Sequence, residues 1–465
     1  MSQHVYIDED RESRWAGLSE VTRMAGPIIL SSISWTMMQF VDTFMVSWLG
    51  ETELAAVGSA GLWSYTMGTF IFGILGCVTT FVSQSLGRGR PQDCASYVWQ
   101  GIYISIIAGV LAFALWPLSE PLFRLMRHSE AVTRLEVLYF NVRLFGYGFI
   151  AWQIALASFF QAVNRPKIPM VVAIVCNALN GVLDYLLIFG KFGFPKWGVA
   201  GAAIATIISL FLQVVMLQAI FMSKTVDDMY ASRSNYRIDL GKMRELIRIG
   251  WAAGLQFFLD VANWGIFTGF IVGYFGEKSL AAHNAAVSLM HVSFMPAVGL
   301  NQAIAPIVGQ WIGRNRPDRA KARTYTAMRL AIVYMSIMGL TFALFGHHIL
   351  RDVFKLDPEI VAIGHTLLLL AAIFQGFDAV NITVMGALRG AGDTRWMAIV
   401  MGICAYAVFL PAAVVLAFPL KLEAVGAWIG ATIYIIGLSG LLFRRWHGER
   451  WRNIKIFASD LTSTH

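Results

Sequence analysis

The sequence predicts an all-α polytopic membrane protein: twelve transmembrane helices in two six-helix lobes related by an internal parallel repeat. Three observations point there. Apolar runs recur from end to end, Lys and Arg crowd onto alternate loops, and two sets of motifs return at one fixed spacing. With 57% hydrophobic and 14% charged positions in 465 residues, and a mean hydropathy of +0.62, the chain is too apolar for a soluble two-domain protein.

Most of the runs exceed the ~20 residues a helix needs to cross ~30 Å of hydrocarbon. The first six are placed at Val21–Trp48, Leu54–Leu86, Ala95–Trp116, Val132–Ala162, Pro166–Phe189 and Val199–Phe221. The second six are Leu246–Tyr274, Leu280–Ile312, Ala322–Phe345, Ile360–Leu388, Trp396–Phe418 and Ala424–Phe443. Residues 1–17 read as a polar cytoplasmic tail, 18–222 as the N lobe, 223–242 as a charged cytoplasmic linker, 243–445 as the C lobe and 446–465 as a second cytoplasmic tail. The opening stretch is acid-rich and does not read as a cleavable signal.

The net charge of +8 is a matter of topology. Of 36 Lys and Arg residues, 26 fall on the termini and one set of alternating loops and 9 on the other, with Arg143 inside a span. The positive-inside rule then puts both termini in the cytoplasm of a multi-pass inner-membrane protein. A nucleic-acid partner is excluded on the same ground, and membrane lipid is the expected surround. The four cysteines, Cys77, Cys94, Cys176 and Cys404, stand singly, which supports neither a disulfide framework nor a zinc site.

The repeat is explicit. LGETELAAVGSA from Leu49 returns as FGEKSLAAHNAA from Phe275, and VSQSLGRGRP from Val82 returns as VGQWIGRNRP from Val308, both at an offset of 226 residues. VAGAAIAT from Val199 echoes AVGAWIGA from Ala424. An even number of spans in each half makes the repeat parallel, and sites in such folds lie near the midplane at the repeat interface.

A carboxyl group inside a membrane costs roughly 2.5–3.5 kcal/mol on insertion scales, so each one is a functional candidate by default. Asp42, Asp184, Asp260 and Asp378 lie within the expected spans. Helical spacing gives each polar company: Gln39 three residues before Asp42, Asn180 and Asn177 four and seven before Asp184, Asn263 three after Asp260, and Gln375 and Asn381 around Asp378. A carboxylate beside an amide oxygen can hold a hard monovalent cation, and the same carboxyl group, desolvated, can hold a proton. The plainer reading is helix capping for Asp42 and a helix-locking hydrogen bond for Asp184 with Asn180. His283 reads as a packing or hydrogen-bonding residue. At the 226-residue offset Asp42 faces Thr268 and Asp260 faces Ser34, while Asp378 falls near Trp152 and Asp184 near Leu410, so the acids do not superpose.

The paired GRGRP and GRNRP loops, LNGVLDYLLIFG from Leu179, FQGFDAVNITVMGALRGAGDT from Phe374 and VDTFMVSWLG from Val41 resemble multidrug and toxic compound extrusion (MATE) transporters, in particular the NorM-like branch. The likeness runs from about Leu18 to Arg445. It implies two lobes alternating between outward and inward openings, and export of cationic and amphipathic drugs and dyes in exchange for Na⁺ or H⁺. No enzymatic activity, no cofactor and a monomeric state are expected. It also implies ion coupling and substrate binding at Asp42, Asn180 and Asp184 in the N lobe and at Asp260 and Asp378 in the C lobe. Two positions depart from the pattern, Asp260 where many relatives carry Glu, and Phe374 where they often carry Tyr; Phe374 can still offer a ring face to a cation. The resemblance favours Na⁺, with Asp260 and Asp378 as its candidate ligands, and H⁺ stays open.

Rivals fit less well. A lipid or polysaccharide flippase of related fold would want a basic cavity, yet the intramembrane charges placed here are mainly acidic, with Arg143 the exception. A two-lobe duplication with discontinuous polar sites fits alternating access better than a channel. No HExxH, GxSxG or GxxxxGK[ST] arrangement supplies a catalytic cluster or an ATP engine. An ion gradient is the remaining energy source, worth ~2.3 kcal/mol per charge for each 100 mV.

Overall fold

The computed structural model describes residues 14–462, and the expected N-terminal tail lies outside them up to residue 13. Among the described residues twelve helices are long and apolar enough to span a membrane, as the sequence predicts: α1 (Gly17–Ser47), α2 (Glu51–Gly87), α3 (Pro91–Phe113), α4 (Glu130–Ala162), α5 (Lys167–Phe189), α6 (Val199–Phe221), α7 (Leu240–Phe275), α8 (Glu277–Gly313), α9 (Pro317–Val353), α10 (Pro358–Ala391), α11 (Thr394–Ala417) and α12 (Glu423–His447). Several begin earlier than hydropathy places them, because polar first turns remain helical once they leave the apolar layer. Side chains such as Phe40, Val110, Leu111 and Phe270 are 62% to 79% exposed. So large an apolar exposure suits lipid as solvent. The protein is an integral membrane protein.

The duplication is written in the backbone. Gly50 and Gly276, 226 residues apart, both have positive φ, 149° and 88°, ahead of α2 and α8. Gly89 and Asn315 share the left-handed conformation, at 72° and 57°. Gly and Asn are the residues that enter this region at least cost. In both turns the second Arg closes the helix before it: Arg90 N donates to Ser85 O (3.0 Å) and Arg316 N to Trp311 O (2.9 Å). Pro91 and Pro317 then open the next helix, where a missing N–H is harmless. Packing repeats too. α4 packs on α2, α3 and α6, and α10 packs in the same way on α8, α9 and α12.

Compactness divides the chain into an N unit (residues 30–262, 392–401 and 454 onward) and a C unit (residues up to 29, 263–391 and 402–453). This cuts across the expected lobes at α1, α7 and α11. In α1 the division follows Pro27, which interrupts helical hydrogen bonding. In α7 and α11 it falls just before π-helical turns at Phe267–Val272 and Cys404–Phe409.

Within the N unit α2 and α7 touch through glycines: a Cβ on Gly73 would lie 2.5 Å from Gly254 Cα. Only the smallest residues permit such an approach, which replaces the absent hydrophobic drive between helices in lipid. The linker is fastened to α3, with Trp99 Nε1 donating to Ser232 O (2.8 Å), Gln100 Nε2 to Arg237 O (3.1 Å) and Lys242 pairing with Asp93 (2.7 Å). Residues 454–462 are anchored in the same unit. Ile456 is fully buried, Phe457 packs against Phe81 and Tyr97, and Asp460 makes two hydrogen bonds to Arg88 (2.6 and 3.1 Å). In the C unit Arg323 pairs with Glu20 and Lys321 with Glu449, each at 2.5 Å. The Lys321 ammonium holds the exposed Glu449 carboxyl below its ordinary range. All four cysteines are free and buried, as packing residues.

Candidate functional site

α5 sets the centre of the site. Asn180 and Asp184 are one turn apart, so both face the same way, and both are completely buried. Asp42 of α1 meets them, 9% exposed. The amide of Asn180 has two carboxylates on one side and a backbone N–H on the other, which fixes its orientation. Its nitrogen donates to Asp42 Oδ1 (2.8 Å) and Asp184 Oδ2 (3.3 Å), and its oxygen accepts from Thr206 N of α6 (3.3 Å). The carboxyl groups of Asp42 and Asp184 are thereby brought within interaction range of each other and of Thr206, whose Oγ1 donates to Ala202 O (3.0 Å). Asp184 Oδ1 is buried with no hydrogen-bond partner.

A second layer holds this triad. Asn177, one turn below Asn180, donates to Ser34 Oγ of α1 (2.9 Å) and accepts from Gln213 Nε2 of α6 (3.3 Å). On α4, Arg143 acts electrostatically on Asp42, and the buried Tyr139 lies in the field of Arg143, Asp42 and Asp184. Sequence reasoning missed Thr206 and Tyr139. The available signal was their spacing: Thr206 closes the VAGAAIAT echo, and Tyr139 is one turn from Arg143.

The other candidates do not join this cluster. Gln39 is exposed. Asp260 belongs to the N unit and Asp378 to the C unit, and both are half-buried. Asp260 bears electrostatically on Tyr65. One turn before it, Gln256 is 2% exposed with an unpartnered Oε1. Asn263 is completely buried with neither amide atom bonded. Asn381 Nδ2 donates to Ile435 O (3.2 Å). Phe374 is only 1% exposed and packs 6.4 Å from Trp428, so its ring belongs to the core rather than an open face. His283 is a hydrogen-bonding residue: Trp428 Nε1 donates to its Nδ1 (3.1 Å), leaving Nε2 to carry the hydrogen toward Thr268 Oγ1 (2.9 Å). Among the described residues no group of three or more His, Cys, Asp or Glu could hold a metal ion.

The MatE family model matches residues 27–186 and again 257–415, so it covers α1 to α5 and then α7 to α11. The chain belongs to the MatE family. This is a family of membrane transporters rather than enzymes. A Burkholderia pseudomallei protein named "Probable multidrug resistance protein NorM" is 29% identical over 434 residues, 92% of each chain. A Thermotoga maritima protein of the same name is 26% identical, over 95% of this chain and 94% of that one. Among solved structures, the eukaryotic MATE transporter AtDTX14 superposes with a TM-score of 0.83 at 22% identity, covering 95% of this chain and 98% of that one. A Pyrococcus furiosus transporter of the MOP superfamily, described as having a binding pocket of reverse polarity that suggests a different function, gives 0.84 at 19%, covering 93% and 95%.

Proposed function

We propose that this MatE protein is a secondary active multidrug efflux antiporter, exporting cationic and amphipathic compounds by alternating access, with Asp42, Asn180 and Asp184 as its ion-coupling site. The observation that carries the reading is the direct contact of two buried carboxyl groups. Two like charges this close cannot both persist in a low dielectric; a proton or a cation must neutralise them. With its nitrogen turned toward the carboxyl groups, Asn180 offers a cation no oxygen ligand there, which favours a proton held by the pair. The chain's relatives named as multidrug resistance proteins support the substrate class.

Na⁺ is the second reading, and the residues fit it. Turned over, the Asn180 amide would present an oxygen beside Asp42 and Asp184, and Asp184 Oδ1 is an acceptor in need of a partner. Bound there, the ion would supply only charge neutralisation. Asp42, Asp184 and Asn180 would hold it, and Thr206 and Arg143 would set the field. A flippase is disfavoured because Arg143, the intramembrane base, already acts on Asp42.

Ethidium efflux from proteoliposomes tests the proposal. An imposed pH gradient should drive it and a Na⁺ gradient at fixed pH should not. Efflux driven by Na⁺ alone would transfer the site to the cation reading, and indifference to both gradients would remove the antiporter. Orientation follows the Lys and Arg distribution, both termini cytoplasmic. Ser234 is exposed on the linker whereas Ser232 is buried, so Ser234→Cys, with the native cysteines replaced, should resist an impermeant thiol reagent on intact cells. Ready labelling would invert the topology.

A further inference from the structure

Glu136 is a completely buried carboxylate seven residues into α4 that the coupling site does not use. Its Oε1 lies 2.8 Å from His128 Nδ1, in the turn before α4, and its Oε2 is buried without a partner. The His128 side chain is 40% exposed. One turn further along α4 comes Tyr139, in the field of Asp42 and Asp184, and one turn beyond that Arg143, which acts on Asp42. Residues at i, i+3 and i+7 share a helix face, at a rise of about 1.5 Å per residue. Glu136, Tyr139 and Arg143 therefore lie along one face of α4, between an exposed imidazole at the helix end and the groups that act on the buried acid pair. Tyr139 packs in an apolar cluster with Val46, Phe123 and Phe140, against which Met126 and Leu135 are placed.

We infer that Glu136 is a proton relay, passing protons between solvent at His128 and the Asp42–Asp184 pair; this rests on that pair being the coupling site. In the inward direction the imidazolium Nδ1–H bond of His128 breaks as an O–H bond forms at Glu136 Oε1, leaving neutral imidazole and neutral carboxylic acid. The acid then gives its proton onward through the Tyr139 hydroxyl, which accepts one proton and releases another, and Glu136 returns to carboxylate. No electrons change hands. The unbonded Oε2 gives the carboxyl group a free acceptor on which to exchange. Near this end of α4, Glu120 pairs with Arg124 and Glu130 with Arg134, each at 2.6 Å and all well exposed, and Arg127 directly precedes His128. A merely structural Glu136 would pin the preceding turn, but Ser129 already caps α4 there by accepting from Val132 N (3.4 Å).

A relay governs rate and leaves equilibrium untouched, and the test uses that. Full-length protein in proteoliposomes is driven by a pH gradient with ethidium as cargo. Glu136→Gln, which still accepts from His128 but cannot carry a proton, should slow transport about tenfold or more. Ethidium affinity and thermal stability should be unchanged, and Glu136→Asp should restore part of the rate. His128→Ala should be slower, and millimolar imidazole on that face should rescue it, which a structural role would not allow. Wild-type rates in Glu136→Gln, or a rate loss matched by lost stability, would overturn the relay. Asp42→Asn separates the underlying reading: if it still transports on a pH gradient, the coupling site is misplaced, whereas a dead Asp42→Asn beside a wild-type Glu136→Gln sinks the relay alone.

Discussion

The place where Asp42 sits in the N unit is taken in the C unit by Thr268, 226 residues on, and the two surroundings have diverged completely. Around Asp42 the neighbours are Asn180, Asp184 and Thr206, an acid pair with an amide between. Around Thr268 they are His283 and Trp428, a closed neutral chain of hydrogen bonds. Where α5 carries Asp184, the equivalent stretch of α11 carries Leu410 beside Phe409, whose ring packs on Phe267 (5.0 Å), Trp264 (5.5 Å) and Tyr434 (5.1 Å). Both copies keep the helices, the turns and the packing order. One copy retains a buried pair of carboxyl groups, with Arg143 acting on one of them. The other has filled that volume with aromatic rings and satisfied every His283 nitrogen internally. Duplication fixes a scaffold, and the polar content of each half can then change independently of it.

Removing the acids is the severest way to break the comparison. Asp42→Asn or Asp184→Asn should reduce ion-driven ethidium export about a hundredfold, the scale of a lost proton-transfer group, with normal amounts of folded protein in the membrane. Thr268→Ala should transport within a few-fold of wild type. Equal loss in both would mean that the two regions are not functionally distinct.

A smaller effect is expected from the acids outside the pair. Asp260→Asn and Asp378→Asn should each lower drug resistance about tenfold at normal expression, the intramembrane-acid default. If either matches Asp42→Asn and also removes the response to the ion gradient, coupling is not confined to the N unit. Loss of folded protein in step with transport would make that acid structural.

The mildest change sharpens the C-unit side. Trp428→Phe keeps the ring but strands His283 Nδ1 as a buried acceptor, costing about 1–3 kcal/mol. The purified protein should melt at a lower temperature while transport per folded molecule is retained. A selective loss of transport would show that the neutral chain does more than support the fold.

Much of this was legible in the sequence because membrane helices announce themselves by length and hydropathy, and a duplication by spacing. The twelve spans and the paired motifs of GRGRP and GRNRP needed nothing else. Asn180 and Asp184 were readable as one face from their four-residue separation. That Asp42 would close on them, with Thr206 and Tyr139 beside it, was not readable, because contacts between helices leave no mark in linear spacing. Asp260 and Asp378 show the converse. Both have amide neighbours at helical intervals, yet those intervals say nothing about which compact unit each residue enters. Phe374 was placed by resemblance at a position where relatives often carry Tyr; its burial against Trp428 depends on a side chain fifty-four residues away.

The anchored end of the chain has a practical consequence for anyone handling this protein. Ile456 and Phe457 cover Phe81, Tyr97 and the stem of Arg88, whose guanidinium lies 4.1 Å above the Phe457 ring. Glu245 is held on both sides, by Tyr97 and by the backbone N–H of Ala458, each at 2.5 Å. A shortened form ending before residue 454 would leave a greasy aromatic shelf and an uncapped acid facing water. Such a product invites self-association during purification. Affinity tags and reporter fusions belong beyond residue 462 on a pliant Gly/Ser spacer, where they leave this clasp undisturbed.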